Sequence, residues 1–309
     1  MTVVVFGSIN MDLVARSVRL PKPGETITGH SFQTIPGGKG ANQAVACARL
    51  GAATWMVGRV GGDVFGINLK DQLESDGVDH KNVVVDSSTS SGVALIVVED
   101  SAENIIIVVP GANGQVGEQD LQRLDGVLER SKVLLLQLEV PLNTVTAAAK
   151  LAKAKGVHVI LDPAPAQVLP PEIYPLLDVI TPNETEAEWL VGFPIRSNDD
   201  AARAAVLLQE RGAQNVIVKM GRRGALARIG DKEKFYEPFR VNAVDTVAAG
   251  DAFNGALGAA LSEGKAIEES VRWGMAGGAL SVTREGAQPA MPTREELLAF
   301  LQKAKTYKR

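Results

Sequence analysis

From residue 133 to residue 220 the sequence alternates two kinds of segment. Short apolar, β-branched runs at 133–138, 158–161, 179–181 and 215–220 are separated by stretches with apolar residues at helical spacing, at 145–154, 184–191 and 199–211. A strand-like run at 54–60 followed by a helical pattern at 63–75 repeats the theme, and Thr2–Phe6 is a further buried-strand pattern. Apolar runs without polar alternation suit strands covered on both faces. Helices between such strands must supply that cover. The chain is therefore predicted to be α/β: three layers, doubly wound, with a mostly parallel sheet between helices. Residues 225–229 and 233–239 read as a hairpin, and 267–282 and 293–305 as closing helices. The basic tail, 303–309, reads as a solvated helix end.

Two stretches break the rhythm. Residues 13–18 and 26–34 are strand-like, separated by Pro21-Lys22-Pro23-Gly24, with no helix between them. Residues 91–99 and 104–110 form a second hairpin-like pair. We read these as one small β-sheet lid, about 13–36 and 91–110, inserted in a single domain spanning 1–309. Such a sheet needs a partner for its second face, so it is expected to serve as a lid, a dimer contact or both.

Composition narrows the class. A net charge of −4 offers no basic field, so no nucleic-acid partner is expected. No leader pattern and no apolar run of the ~18 residues needed to cross a bilayer is visible, so a cytoplasmic protein without membrane contact is expected. The single cysteine, Cys47, fits a reducing compartment. The three histidines are isolated, so an acid–base group is expected to be a carboxylate.

Polar clusters fall at the ends of the predicted strands: Asn10 and Asp12, Glu139, Asn183 and Glu186, and Gly221–Gly224. Parallel sheets bind ligands along that edge. The first cluster, Asn10 and Asp12, also has a plainer reading as a turn built from Asn and Asp. Gly37-Gly38-Lys39-Gly40-Ala41-Asn42-Gln43 precedes a helical pattern. It is not a phosphate-binding P-loop, because no Ser or Thr follows Gly-Lys, and Gln43 breaks a dinucleotide fingerprint. It is either a ligand loop or a structural glycine turn. In 244–261, Ala248, Ala249 and Gly250 enter a helix and Asp251 falls in its first turn. Free amides and the helix dipole make such a turn an anion site. Asp251 is either a base beside a bound phosphate or a helix cap. Asn, Asp, Glu and Lys suit a polyhydroxyl ligand, while Lys219, Arg222, Arg223 and the 248–250 turn suit phosphates. Together they describe phosphoryl transfer to a hydroxyl. A non-catalytic sugar or nucleotide sensor and a dinucleotide-dependent oxidoreductase are the competing readings.

Residues 37–44 and 245–251, with 7–12, 182–186 and 286–289, resemble the signatures of the ribokinase-type (PfkB) carbohydrate kinase family over essentially the whole chain. The resemblance implies ATP-dependent phosphorylation of D-ribose at O5, or a sibling activity on fructose, a nucleoside or another sugar. It implies that Asn10, Asp12, Gly38, Lys39, Gly40, Ala41, Asn42 and Glu139 hold the sugar. Asp251 matches the family's base, and Ala248, Ala249 and Gly250 its anion hole. Asn183 and Glu186 match a motif linked to Mg2+ and phosphate. Asn183, Lys219, Gly221, Arg222, Arg223 and Gly224 match nucleotide positions, with Met275 near the adenine. Asp245, Val247, Ser281, Arg284, Gly286 and Ala290 match the site of an activating K+, although a serine usually stands where this chain has Ala290. A homodimer joined through its lid sheets is implied as well.

Overall fold

The computed structural model describes residues 2–101 and 103–306; positions 1, 102 and 307–309, including the end of the basic tail, lie outside the described residues. The chain begins with β1 (Thr2–Phe6), β2 (Asn10–Ser17), β3 (Ser31–Gly37), α1 (Lys39–Arg49), β4 (Ala53–Gly61), α2 (Val64–Ser75) and β5 (Val78–Asp86). It continues through β6 (Gly92–Glu99), β7 (Asn104–Val109), α3 (Glu118–Leu128), β8 (Val133–Leu136), α4 (Leu142–Ala154), β9 (His158–Leu161) and β10 (Val179–Ile180). It closes with α5 (Glu184–Val191), α6 (Asn198–Glu210), β11 (Asn215–Lys219), β12 (Ala225–Ile229), β13 (Lys232–Tyr236), α7 (Ala249–Ser262), α8 (Ile267–Ser281) and α9 (Arg294–Thr306).

Nine strands form the main sheet, in the order β13-β12-β11-β10-β9-β8-β1-β4-β5. Strands β11 through β5 along that order are parallel; β12 and β13 add an antiparallel edge. β1 shows why helices flank both faces. Val3 and Val5 point into one apolar cluster with Ala44 and Val45 of α1 and Ala256 and Ala260 of α7. Val4 and Phe6 point into another with Leu124 and Leu128 of α3 and Ala148 and Ala149 of α4. Period-two alternation thus feeds two cores, each fully buried aliphatic contributing roughly 1.5–3 kcal/mol. The Ala/Gly composition of α7 lets it lie close to its neighbours. A Cβ on Gly255 would fall 2.4 Å from Ala46 Cβ of α1, and one on Gly277 of α8 2.8 Å from the Ala252 carbonyl oxygen.

The expected second sheet is present, in the order β3-β2-β6-β7. Its central pair, β2 and β6, is parallel; the outer pairs are antiparallel. Two boundaries differ from the sequence reading. Only Gly7, Ser8 and Ile9 separate β1 from β2, so Asn10 and Asp12 lie on the lid sheet rather than at the end of β1. The reason is register: Asn10 pairs with Gly37 and Gly92, which draws the strand start three residues earlier than residue 13. Residues 26–30 stay outside β3, the chain turning through a Glu25 N–H to Lys22 carbonyl bond of 3.0 Å. β5 and α3 are absent from the sequence reading. β5 carries His80, Lys81 and Asn82 within its run, which hides an edge strand.

Candidate active site

The C-terminal edge of the parallel strands sets out polar groups in spatial order. Lys219 ends β11, Asn183 follows β10, Asp162 follows β9, Gln137 and Glu139 follow β8, and Ser8 follows β1. From β1 the chain moves first toward β4 and β5 and later toward β8 through β11, so the switch point of the sheet lies beside β1, where α/β sheets bind ligands.

The sugar-side residues meet there. The Ser8 hydroxyl donates to Glu139 at 2.5 Å, and the Lys39 N–H donates to the same carboxylate oxygen at 3.0 Å. The Gly40 N–H donates to Ser8 Oγ at 3.2 Å. The glycines of this loop serve backbone packing. Gly38 has φ 87° and a Cβ there would lie 2.6 Å from the Asn10 nitrogen; one on Gly40 would lie 2.6 Å from the Ser8 nitrogen. The turn is thus wedged against the β1–β2 link, and α1 starts there with Ala41 buried. Asn10 is held by Asn113, whose Nδ2 donates to Asn10 Oδ1 at 2.7 Å. Asp12 packs against Gly37, whose missing side chain leaves room for the carboxylate.

Asp251 stands at the meeting of α1 and α7. It is 3% exposed. Its oxygens accept from Asn42 Nδ2 at 3.0 Å and Gln43 Nε2 at 3.1 Å. The helix-cap reading is corrected by this geometry. The cap position of α7 is Ala248, which makes no side-chain cap bond, and the bonds to the Asp251 carboxylate come from α1. Ala248 adopts φ 57°, the left-handed region, with no glycine to ease it. Such backbone costs about 1–2 kcal/mol and persists where surrounding structure imposes it.

The electrostatics follow from burying acids together. Burial first, then Glu139 and Asp251, push Asp12 up to about 7, with Lys39 opposing. Burial pushes Asp251 up to about 6 against Lys39 and its two amide donors, with Asp162 adding to the rise. Lys39 is itself buried, which disfavours its charge, but Asp251, Glu139, Asp162 and Glu186 outweigh this and hold it above the usual lysine range. Burial also raises Glu186, opposed by Lys219.

A cavity of about 880 Å³ opens on the other side of Asp251. Its lining includes Lys39, Asn183, Glu186, Lys219, Gly221, Arg222, Gly224, Met275 and the whole 248–251 turn. Asp162, Thr246, Phe239 and Arg240 also line it and escaped the sequence reading. Lys219 Nζ donates to Asp162 at 2.8 Å and lies 3.4 Å from where a Gly250 Cβ would be, so it reaches over the anion turn. Arg223 does not line the cavity. Its guanidinium is bound by Glu184 and by the carbonyl oxygens of Ile195 and Arg196, because the 221–223 turn directs it toward α5. Gly224, at φ 98°, has the Tyr236 carbonyl where a Cβ would stand.

Asn183 and Glu186 form a reciprocal cap on α5. Asn183 Oδ1 accepts from the Glu186 N–H, and Glu186 accepts from both Asn183 nitrogens, each at 2.8 Å. No cluster of three acid, His or Cys ligands for a metal occurs among the described residues. A Mg2+ ion fits here as a phosphate-bound ion held through few protein groups, and Asp162, Glu184 and Glu186 are the carboxylates that line the cavity beside Asp251. The six cation-site residues converge only in part. Asp245 clasps two segments, accepting from the Val247 N–H at 3.0 Å and the Gly286 N–H at 2.9 Å. The Asp245 N–H donates to the Val282 carbonyl, one residue beyond Ser281. The Arg284 guanidinium turns away to Glu296, and Ala290 is buried with no side-chain oxygen to offer. An ion held here would find the Asp245 carboxylate and neighbouring backbone oxygens, without a hydroxyl from position 290.

Gln43, Gln137, Ser8 and Asn113 complete the site and were not singled out from sequence. Gln43 registers in the sequence as the residue that spoils a dinucleotide fingerprint and as part of the 37–44 signature, with no role of its own. A buried polar residue one step from Asn42 on the same helix was the available signal.

Residues 1–294 match the family described as pfkB family carbohydrate kinase. The chain is 43% identical over 303 residues to the ribokinase of Haemophilus influenzae, covering 98% of this chain and 99% of that one. It is 39% identical over 302 residues to the deoxyribokinase of Salmonella typhimurium, covering 97% and 99%. It is similar in structure to Arabidopsis thaliana ribokinase complexed with ribose and ATP, with a TM-score of 0.90, 35% identity and coverage of 97% and 98%. An α/β sheet with its own small lid sheet, a buried acid at the switch point and a match over nearly the whole chain place this protein in the pfkB family of carbohydrate kinases.

Proposed function

We propose that the protein transfers the γ-phosphoryl group of ATP to O5 of D-ribose. The observation that carries this reading is the place of Asp251: buried, bonded to Asn42 on the sugar side, and in the first turn behind the 248–250 anion turn on the phosphate side. In this reading Asn10, Asp12, Lys39, Asn42 and Glu139 hold the sugar, and Asp251 takes the proton from its primary hydroxyl. Held near 6, it is ionised at neutral pH yet basic enough to accept that proton. Lys219 and the amides of the turn offset the charge that gathers on the phosphoryl oxygens. Glu186 and Asn183 would hold Mg2+ together with the phosphates, which neutralises charge when bound. Backbone oxygens near Asp245 and Gly286 would hold K+, without the hydroxyl that Ala290 lacks. The exposed lid sheets support a homodimer.

Asp251→Asn tests the reading. Coupled ADP-release assays are expected to show kcat lowered by about 10²–10⁴-fold, with ribose binding by calorimetry largely kept. Turnover near the wild-type rate would remove Asp251 from this role. Side-by-side kcat/KM values for ribose, 2-deoxyribose, fructose and a nucleoside, with and without K+, decide the acceptor. A preference for a sugar other than ribose overturns the named substrate and leaves the kinase assignment intact.

A further inference from the structure

Gln43 lies on α1, fully buried. Its amide can face only one way, because ionised carboxylates accept and never donate. Nε2 lies 3.1 Å from Asp251 Oδ1 and 3.0 Å from Asp162 Oδ2, so its two hydrogens are divided between two acids. Oε1 accepts from Gln137 Nε2 at 2.7 Å. That second amide is seated by Gly7, where a Cβ would fall 2.0 Å from Gln137 Oε1. Beyond Asp162 stands Lys219, bonded at 2.8 Å and poised over the anion turn. One neutral side chain therefore joins the acid on the sugar side to the ion pair on the phosphate side.

We propose that Gln43 is a positioning residue: clamped by Gln137, it fixes the rotamer of the Asp251 carboxylate and ties it to the Asp162–Lys219 pair. The inference rests on Asp251 acting as the base. Asn42 alone leaves one oxygen of Asp251 free to rotate, whereas two donors from successive residues of one rigid helix set both oxygens at once. The charges around Asp251 are Lys39 of α1, Asp12 of β2 and Asp162 after β9, with Lys219 of β11 beyond. Gln43→Leu leaves all of them in place. It removes one donor from Asp251, one from Asp162 and the acceptor of Gln137, and the loss of a donor to the ionised Asp251 raises that acid's pKa.

The test is the pH dependence of kcat and kcat/KM for ribose at saturating ATP, in wild type and Gln43→Leu, with thermal unfolding measured alongside. Gln43→Leu is expected to lower kcat by roughly 10–100-fold, keep the ribose KM within about threefold, and move the acid limb up by about one pH unit. A folded variant whose acid limb coincides with wild type overturns the inference and leaves Gln43 a packing residue. If Gln43→Leu does not fold, Gln137→Met frees the Gln43 oxygen instead. A smaller shift in the same direction supports the inference, and a superimposable profile overturns it. A wild-type profile without an acid limb, or an active Asp251→Asn enzyme, overturns the base assignment and this inference together. An acid limb in wild type with Asp251→Asn inactive confines any failure to Gln43.

Discussion

Asp12 is the residue whose burial most visibly opposes its charge. It sits near Glu139 and Asp251 and is pushed up to about 7. For an acid raised on folding, the unfolded chain holds fewer protons between an ordinary aspartate value and 7, so its contribution to stability falls as pH climbs through that window. Asp12→Asn is therefore expected to unfold at a higher temperature than wild type at pH 8, by about 2–4 °C for each ~1 kcal/mol relieved. The gap should close as pH drops through and below about 4, into the range where the wild-type acid is protonated in both states. The ribose KM should rise in the same variant. Equal melting temperatures at pH 8 would show that Lys39 already compensates the acid fully. The residue types that the proposed sugar side uses were visible in the sequence, since hydroxyl ligands call for Asn, Asp, Glu and Lys. Their partners were not. Gln137 and Asn113 act across 94 and 104 positions, on Gln43 and Ile9, and no local pattern carries such a contact.

At the scale of elements, the sequence leaves the loop before α1 open between a ligand loop and a structural glycine turn. The structure gives its glycines a packing role, with Gly38 and Gly40 pressed on Ile9, Asn10 and Ser8. Gly40→Ala must displace main chain rather than a side chain, and overpacking of this kind costs about 1–3 kcal/mol. We expect a loss of that size in urea unfolding and a larger loss of sugar affinity than of ATP affinity, because the strain enters on the sugar side. Unchanged stability would mean that α1 can slide away from β1. The central parallel strands and α7 were readable because apolar runs and small-residue helices have a distinct period. β5 was not, because an edge strand keeps charged residues. The turn toward α5 that carries Arg223 away from the cavity is likewise a matter of backbone path, which composition does not encode.

Among the described residues, the lid sheet carries a run of uncovered apolar side chains. Ile105 to Val109 of β7 are each 41–56% exposed, and Phe32 of β3 is 64% exposed. β7 is an edge of the lid sheet, so it also presents unpaired main-chain groups. Light scattering is expected to give a dimer mass for the wild type. Neighbouring strand residues face opposite ways, so the pair Ile106→Lys and Ile107→Lys charges both faces and is expected to give a monomer. A wild-type monomer at micromolar concentration would leave this surface without a purpose in the assembly.

The lid strands run straight into the segments proposed to hold the sugar: β1 passes into β2 after three residues, and β3 passes into α1 after one. If Asp12 and Lys39 hold the sugar as proposed, a flap moored in this way would move only with its guest. A molecule too small to touch Asp12 and Lys39 together has no purchase on it. Water is such a molecule, so under that proposal idle loss of nucleotide would be restrained by the path of the chain itself, with no dedicated inhibitory residue required.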